Sequence, residues 1–220
     1  MMKKLSKLAL LAVAAAFLAV ALPACSSGSG GEGDSEKKED VKDPNPDGNK
    51  NETVNAKTYT VKASSQTQTS ADDADTDGSA KLTANRALTF ETDSGAPSGV
   101  TAALGVGNKI DSTGFNLNGY LQKEGKNGII INGLKGGDKI SLTFKLKSNT
   151  TTVYPVLGLK STNTNPVEQG GTTGKYNAVV VSDKSTTDTA ATADFTITAD
   201  DDYILGTNNG GFIIEFSITR

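Results

Sequence analysis

The chain reads as all-β: an antiparallel β-sandwich or jelly roll of about ten strands, set behind a leader and a polar linker. Three observations predict it. Beyond residue 56 no stretch repeats its apolar residues at the helical period of 3.6. Many short runs instead alternate apolar and polar residues and are rich in Thr, Val, Ile, Phe and Tyr. Between these runs fall Gly, Asn and Asp, which tolerate the backbone of tight turns.

The strands follow in chain order. Residues 57–62 (KTYTVK) and 86–91 (RALTFE) are the first two candidates. Residues 114–121 (GFNLNGYL) set Phe115, Leu117 and Leu121 at alternate positions, and residues 128–132 (GIIIN) form a short apolar run. Residues 138–147 (DKISLTFKLK) alternate most clearly. Ile140, Leu142, Phe144 and Leu146 share one face, and Ser141, Thr143, Lys145 and Lys147 the other. Residues 152–159 (TVYPVLGL) contain Pro155, which has no amide hydrogen and argues for an edge or a bulge. Residues 176–182, 193–198 and 203–205 follow. Residues 211–219 (GFIIEFSIT) close the chain, with Phe212, Ile214, Phe216 and Ile218 expected inside and Glu215, Ser217 and Thr219 outside. Asn127-Gly128, Gly136-Gly137-Asp138 and Asn208-Asn209-Gly210-Gly211 are the turn candidates, and residues 200–202 (DDD) are expected to turn the chain before Tyr203.

Ahead of the sandwich, Lys3, Lys4 and Lys7 precede an uncharged, apolar run over residues 8–24 that ends on small residues. That is the grammar of a secretory signal peptide. Leu22-Pro23-Ala24-Cys25 resembles the lipobox of bacterial lipoproteins, which implies cleavage after Ala24, lipidation of Cys25 and a membrane partner through that anchor. Cys25 is the only cysteine, so no disulfide can form within the chain. Residues 26–56 are nearly all Gly, Ser, Asp, Glu, Lys and Asn, too polar to offset chain entropy by burial. The expected organisation is a signal peptide over 1–24, a lipidated cysteine and disordered linker over 25–56, and the sandwich over 57–220. The expected location is the cell envelope, at an outer membrane or the cell surface.

Of the 220 residues, 22 are basic and 25 acidic. The leader carries three of the basic residues and none of the acidic ones, so the remainder has a net charge of −6. That balance disfavours nucleic acid as a partner. There is no histidine and no tryptophan. With Cys25 consumed by lipid, imidazole and thiolate chemistry and zinc sites are excluded. Glu91, Glu168 and Glu215 are the carboxylates to consider for glycoside chemistry, and nothing in their spacing brings two together. No catalysis is expected.

Residues 80–220 resemble the jelly-roll modules attached to bacterial pectate lyases and related secreted polysaccharide-degrading enzymes. ALTFE, GFNLNGYLQKEGKNGIIIN, GGDKISLTFKL and ADDDYILGTNNGGFIIEFSIT carry the resemblance, in that order. It implies a non-catalytic domain that binds polysaccharide. On that reading, Tyr120, Tyr154 and Tyr176 are the aromatics free to stack on sugar rings, and Asn118, Gln122, Lys123 and Asn127 supply hydrogen bonds near Tyr120. The alternative is a structural or adhesive surface lipoprotein facing a protein partner. No organic cofactor is expected. Asp73, Asp75 and Asp77, followed by Gly78, match the first half of an EF-hand-type calcium loop, but its closing position holds Ala84 in place of Glu.

Overall fold

The computed structural model describes residues 55–147, 152–181, 184–185 and 189–220. The leader, Cys25 and nearly all of the linker lie outside them. Among these residues twelve strands are present: β1 Thr58–Lys62, β2 Arg86–Leu88, β3 Thr101–Leu104, β4 Lys109–Ile110, β5 Phe115–Leu117, β6 Ile129–Leu134, β7 Lys139–Leu146, β8 Pro155–Leu159, β9 Val179–Val180, β10 Ala191–Thr196, β11 Asp201–Thr207 and β12 Gly211–Thr219. Only short 3-10 turns, such as Lys123–Gly125, interrupt them.

The strands form two antiparallel sheets. One runs β10-β7-β12-β5-β4, with β1 pairing along the C-terminal half of β12. The other runs β2-β3-β6-β11-β8-β9. The last eight strands nest in pairs from outside in: β5 with β12, β6 with β11, β7 with β10, and β8 with β9. They share out between the sheets as β5-β12-β7-β10 and β6-β11-β8-β9, which is the double Greek key of a jelly roll. β3 and β2 extend one sheet, and β4 and β1 the other.

The core between the sheets is built from alternate residues. Ile140, Leu142 and Phe144 of β7 are buried against Ile129 and Ile131 of β6 and Leu205 of β11. Phe115, Phe144 and Phe216 are fully buried. The expected alternation over residues 138–147 is thus observed. The last strand differs. Ile213, not Phe212 or Ile214, is buried, and Phe216 and Ile218 follow it inside. The register of β12 on β7 shifts between Ile213 and Glu215. One extra residue in a strand flips the faces on one side of it, so a strict period of two carries the wrong residues inward before the bulge. Phe212 therefore lies on the outer face, where the Lys145 ammonium sits 5.7 Å from its ring centre.

Pro155 opens β8 at a strand's first residue, where a missing amide hydrogen is tolerated, although β8 is flanked on both sides. Of the expected strand over residues 176–182, the described part, 176–181, is strand at Val179–Val180. Asp201 and Asp202 belong to β11, while Asp200 accepts from the Gly136 amide at 2.8 Å and so ties the 135–137 turn to the β10–β11 connection.

The second sheet has a second apolar layer on its outer face. Leu121, Ile130, Val156, Val167 and Ile204 form a buried cluster there, with Tyr120 packed against it. Ile130, Val156 and Ile204 come from strands, whereas Leu121 and Val167 come from two loops, residues 118–128 and 160–178. Glycines let the loops lie close. A Cβ on Gly158 would fall 2.7 Å from the Pro166 ring, and one on Gly206 would fall 3.0 Å from a Leu121 methyl. Among the described residues the first sheet has no such apolar cover. Its outer face is set with Thr60, Ser141, Thr143, Thr192 and Ser217.

Candidate functional site

Between the two loops lies an open cleft of about 510 Å³. That is the size range of small-ligand sites. Tyr120 and Lys123 come from the first loop, and Asn163, Thr164, Asn165, Val167, Glu168, Gln169, Lys175 and Tyr176 from the second. The loops are held to each other as well as to the sheet: the Lys123 amide donates to Asn165 Oδ1 at 3.1 Å. Val167, buried in the outer cluster, anchors the cleft's base.

Tyr176 is 65% exposed, the most exposed large apolar side chain among the described residues. Residues 175–178 make a tight turn closed by the Ala178 amide donating to the Lys175 carbonyl at 2.9 Å. Both central residues are left-handed, Tyr176 at φ 49° and Asn177 at φ 64°. This is the type I′ pattern, which normally takes Asn-Gly. A bulky side chain in the left-handed region costs about 1–2 kcal/mol. The molecule thus sustains strain to present a phenol ring at the cleft.

Tyr120 is half-buried, with its ring against the outer apolar cluster. The polar rim is partly pre-set. Lys175 Nζ donates to Glu168 Oε1 at 2.6 Å, which holds the Glu168 carboxyl below its ordinary value and keeps it an acceptor. The cleft therefore offers two phenol rings, three carboxamides, two ammonium groups and a carboxylate on one surface.

The structure brings Tyr120, Lys123 and Tyr176 together there. Their partners Asn163, Asn165, Gln169 and Lys175 were not singled out by sequence. They occupy a loop whose position over β8 depends on Gly158, and only the cluster of turn-forming residues over 161–165 (STNTN) marks it. The other expected residues lie elsewhere. Asn127 is buried at left-handed φ 58°, and its side-chain amide donates to the Tyr120 carbonyl at 3.4 Å, so it supports the loop. Gln122 is half-buried outside the cleft lining. Tyr154 is half-buried, with its backbone exchanging hydrogen bonds with Asn208. Asn118 is exposed and lines a separate cleft.

The acidic loop does not converge as a calcium loop would. Asp73 turns back to cap Ser70 and pairs with Arg86. Asp75 accepts from the Asp77 amide and the Ser79 hydroxyl, and Lys81 lies 3.6 Å from Asp75 and 3.9 Å from Asp77. Among the described residues no three acidic side chains are grouped to hold a metal. Two basic side chains downstream, Lys81 and Arg86, pair with these carboxylates. Glu168 and Glu215 lie on the outer faces of different sheets. Glu215 shares a hollow of about 230 Å³ with Asp194.

Compared with protein-family models and with curated proteins, the chain matches none.

Proposed function

We propose that this protein is a lipid-anchored envelope module that binds polysaccharide without cleaving it. The observation that carries the reading is the cleft between residues 118–128 and 160–178, where Tyr176 is presented from a strained turn beside Tyr120 and a rim of amides. A pyranose has apolar faces that stack on phenol rings and an equator of hydroxyls that pair with amides and carboxylates. Rings that stack, groups that both donate and accept, and an open trough suit a sugar within a chain. The net charge of −6 after the expected leader disfavours nucleic acid, and the resemblance of residues 80–220 to the jelly-roll modules attached to secreted polysaccharide-degrading enzymes points the same way. Lipidation at Cys25 would hold the module at the membrane, with the linker spanning about 30 Å as a flexible coil.

The test is a glycan array on the full chain in neutral detergent, repeated with Tyr176→Ala. Specific retention that the variant loses supports the reading. Silence across the array, or retention that the variant keeps, removes the cleft as a glycan site and favours a protein partner. For the anchor, Cys25→Ser is expected to release the protein from membranes, and its persistence there would remove the lipoprotein reading.

A further inference from the structure

A second cleft lies on the outer face of the other sheet. It measures about 100 Å³ and is lined by Lys81, Lys109, Asn116, Asn118 and Lys147 with backbone at Gly107. Three ammonium groups thus border a space only large enough for a small group. Lys81 is engaged by Asp75 and Asp77. Lys109 and Lys147 have no carboxylate within ion-pair distance among the described residues.

Asn116 supplies an independent observation. It sits on β5, paired with Lys109 of β4, and is 4% exposed. Its side-chain amide donates to Asp111 Oδ2 at 2.9 Å, which fixes the orientation of the carboxamide. The carbonyl oxygen left over is buried and has no partner. A buried acceptor without a donor costs about 1–3 kcal/mol. The Lys147 ammonium is also disfavoured, first by burial and then by Lys109, against a smaller favourable effect of Asp111. Among the described residues the cleft lacks an anion paired with Lys109 or Lys147 and a donor for the Asn116 oxygen.

From the unpaired ammonium groups of Lys109 and Lys147 and the orphaned Asn116 oxygen, we infer that this cleft binds a carboxylate that carries a hydroxyl on the neighbouring carbon. The carboxylate lies between the two ammonium groups. The hydroxyl donates to Asn116 Oδ1 as the side chains over that oxygen part. The rest of the ligand extends into solvent, so the same chemistry can arrive as a free hydroxy acid or as an acidic sugar residue in a polymer. The site does not involve the tyrosine cleft and stands or falls separately from it.

The probes are glycolate, acetate and a uronic acid tetrasaccharide, titrated into the isotope-labelled full chain in neutral detergent with amide shifts as the readout. Glycolate is expected to move Lys109, Asn116 and Lys147 saturably and to bind at least tenfold more tightly than acetate. Lys109→Met with Lys147→Met, which keeps the aliphatic stems, is expected to abolish those shifts while leaving the amide spectrum away from the cleft and the melting temperature unchanged. A tetrasaccharide that binds more tightly than glycolate identifies a polymer as the source, and equal affinity identifies the free acid. Static shifts at saturating glycolate, glycolate binding that survives in the double variant, or equal affinity for acetate and glycolate would each overturn the proposal.

Discussion

Arg220, the last residue of the chain, grips the carboxylate of Asp138 at both oxygens: Nε donates to Oδ1 at 2.9 Å and Nη2 to Oδ2 at 2.6 Å. Asp138 precedes β7, and Arg220 follows β12, so the pair clamps the two strands that share the longest register in the fold. The same guanidinium donates to the carbonyls of Ser98 and Gly133. The chain end is thereby stitched to both sheets.

Removing the clamp leaves a carboxylate that is 3% exposed without its counter-charge. Arg220→Ala is therefore expected to cost about 2 kcal/mol, below the roughly 3–5 kcal/mol of a fully buried pair because the arginine itself is partly exposed. The urea midpoint should fall with an unchanged slope. An unchanged midpoint would show the pair to be idle.

The same pair sets a pH dependence. Burial pushes the Asp138 carboxyl up, but the Arg220 hydrogen bonds and the Lys135 amide outweigh it and hold the group below its ordinary 3.8. A depressed carboxyl contributes stability that is fully present above about pH 4 and is lost as pH falls through the folded value. Melting temperature measured from pH 6 to pH 2 should fall more steeply in the native protein than in Arg220→Ala. Parallel curves would assign acid sensitivity to other groups.

The cleft depends on how closely its second loop approaches the sheet. Gly158→Val would drive a side chain into Pro166 and displace residues 160–178. Overpacking of this kind costs about 1–3 kcal/mol. Ligand retention should be lost while the β-sheet circular dichroism spectrum stays. Full retention would mean that the cleft does not rely on the outer apolar layer.

Tyr176 trades stability for presentation. Tyr176→Gly relieves the left-handed strain and should raise stability by about 0.5–1 kcal/mol, while removing the ring from the cleft. A denaturation curve beside a retention assay reads both. A destabilised variant would show that the ring packs more than it presents.

Calcium provides a check on the acidic loop. Lys81 already pairs with Asp75 and Asp77, and Arg86 with Asp73. Millimolar calcium or chelator should therefore leave the melting temperature unmoved. A rise with calcium would mean that the lysine is displaced.

Residues 138–147 show what was legible in the sequence. One face of β7 meets the core and the other meets water, so alternation reports burial directly. β3 was missed, because Thr101–Leu104 (TAAL) offers small residues with little periodic contrast. β4 spans only Lys109–Ile110, too short for any period to show. Phe212 was misassigned because a bulge is set by how β12 meets β7, which is a property of the pair and not of either strand. The site was half legible. Tyr120, Lys123 and Tyr176 stand out as aromatic and polar residues near turns, but their meeting spans a separation of more than fifty residues, closed by the pairing of β11 with both β6 and β8.

Local pattern by itself determined the class of fold, the faces of the long strands and most turns, because these depend on the period of side chains along a chain and on the backbone freedom of Gly, Asn and Asp. The expected signal peptide and lipidation at Cys25 are likewise read from linear order, and they lie outside the described residues. The tertiary structure alone decided which loop lies beside which, that Asp73 pairs with Arg86, and that Asn116 is left with a buried oxygen lacking a partner among the described residues. Those outcomes depend on distances between residues far apart in sequence, and no local periodicity encodes them.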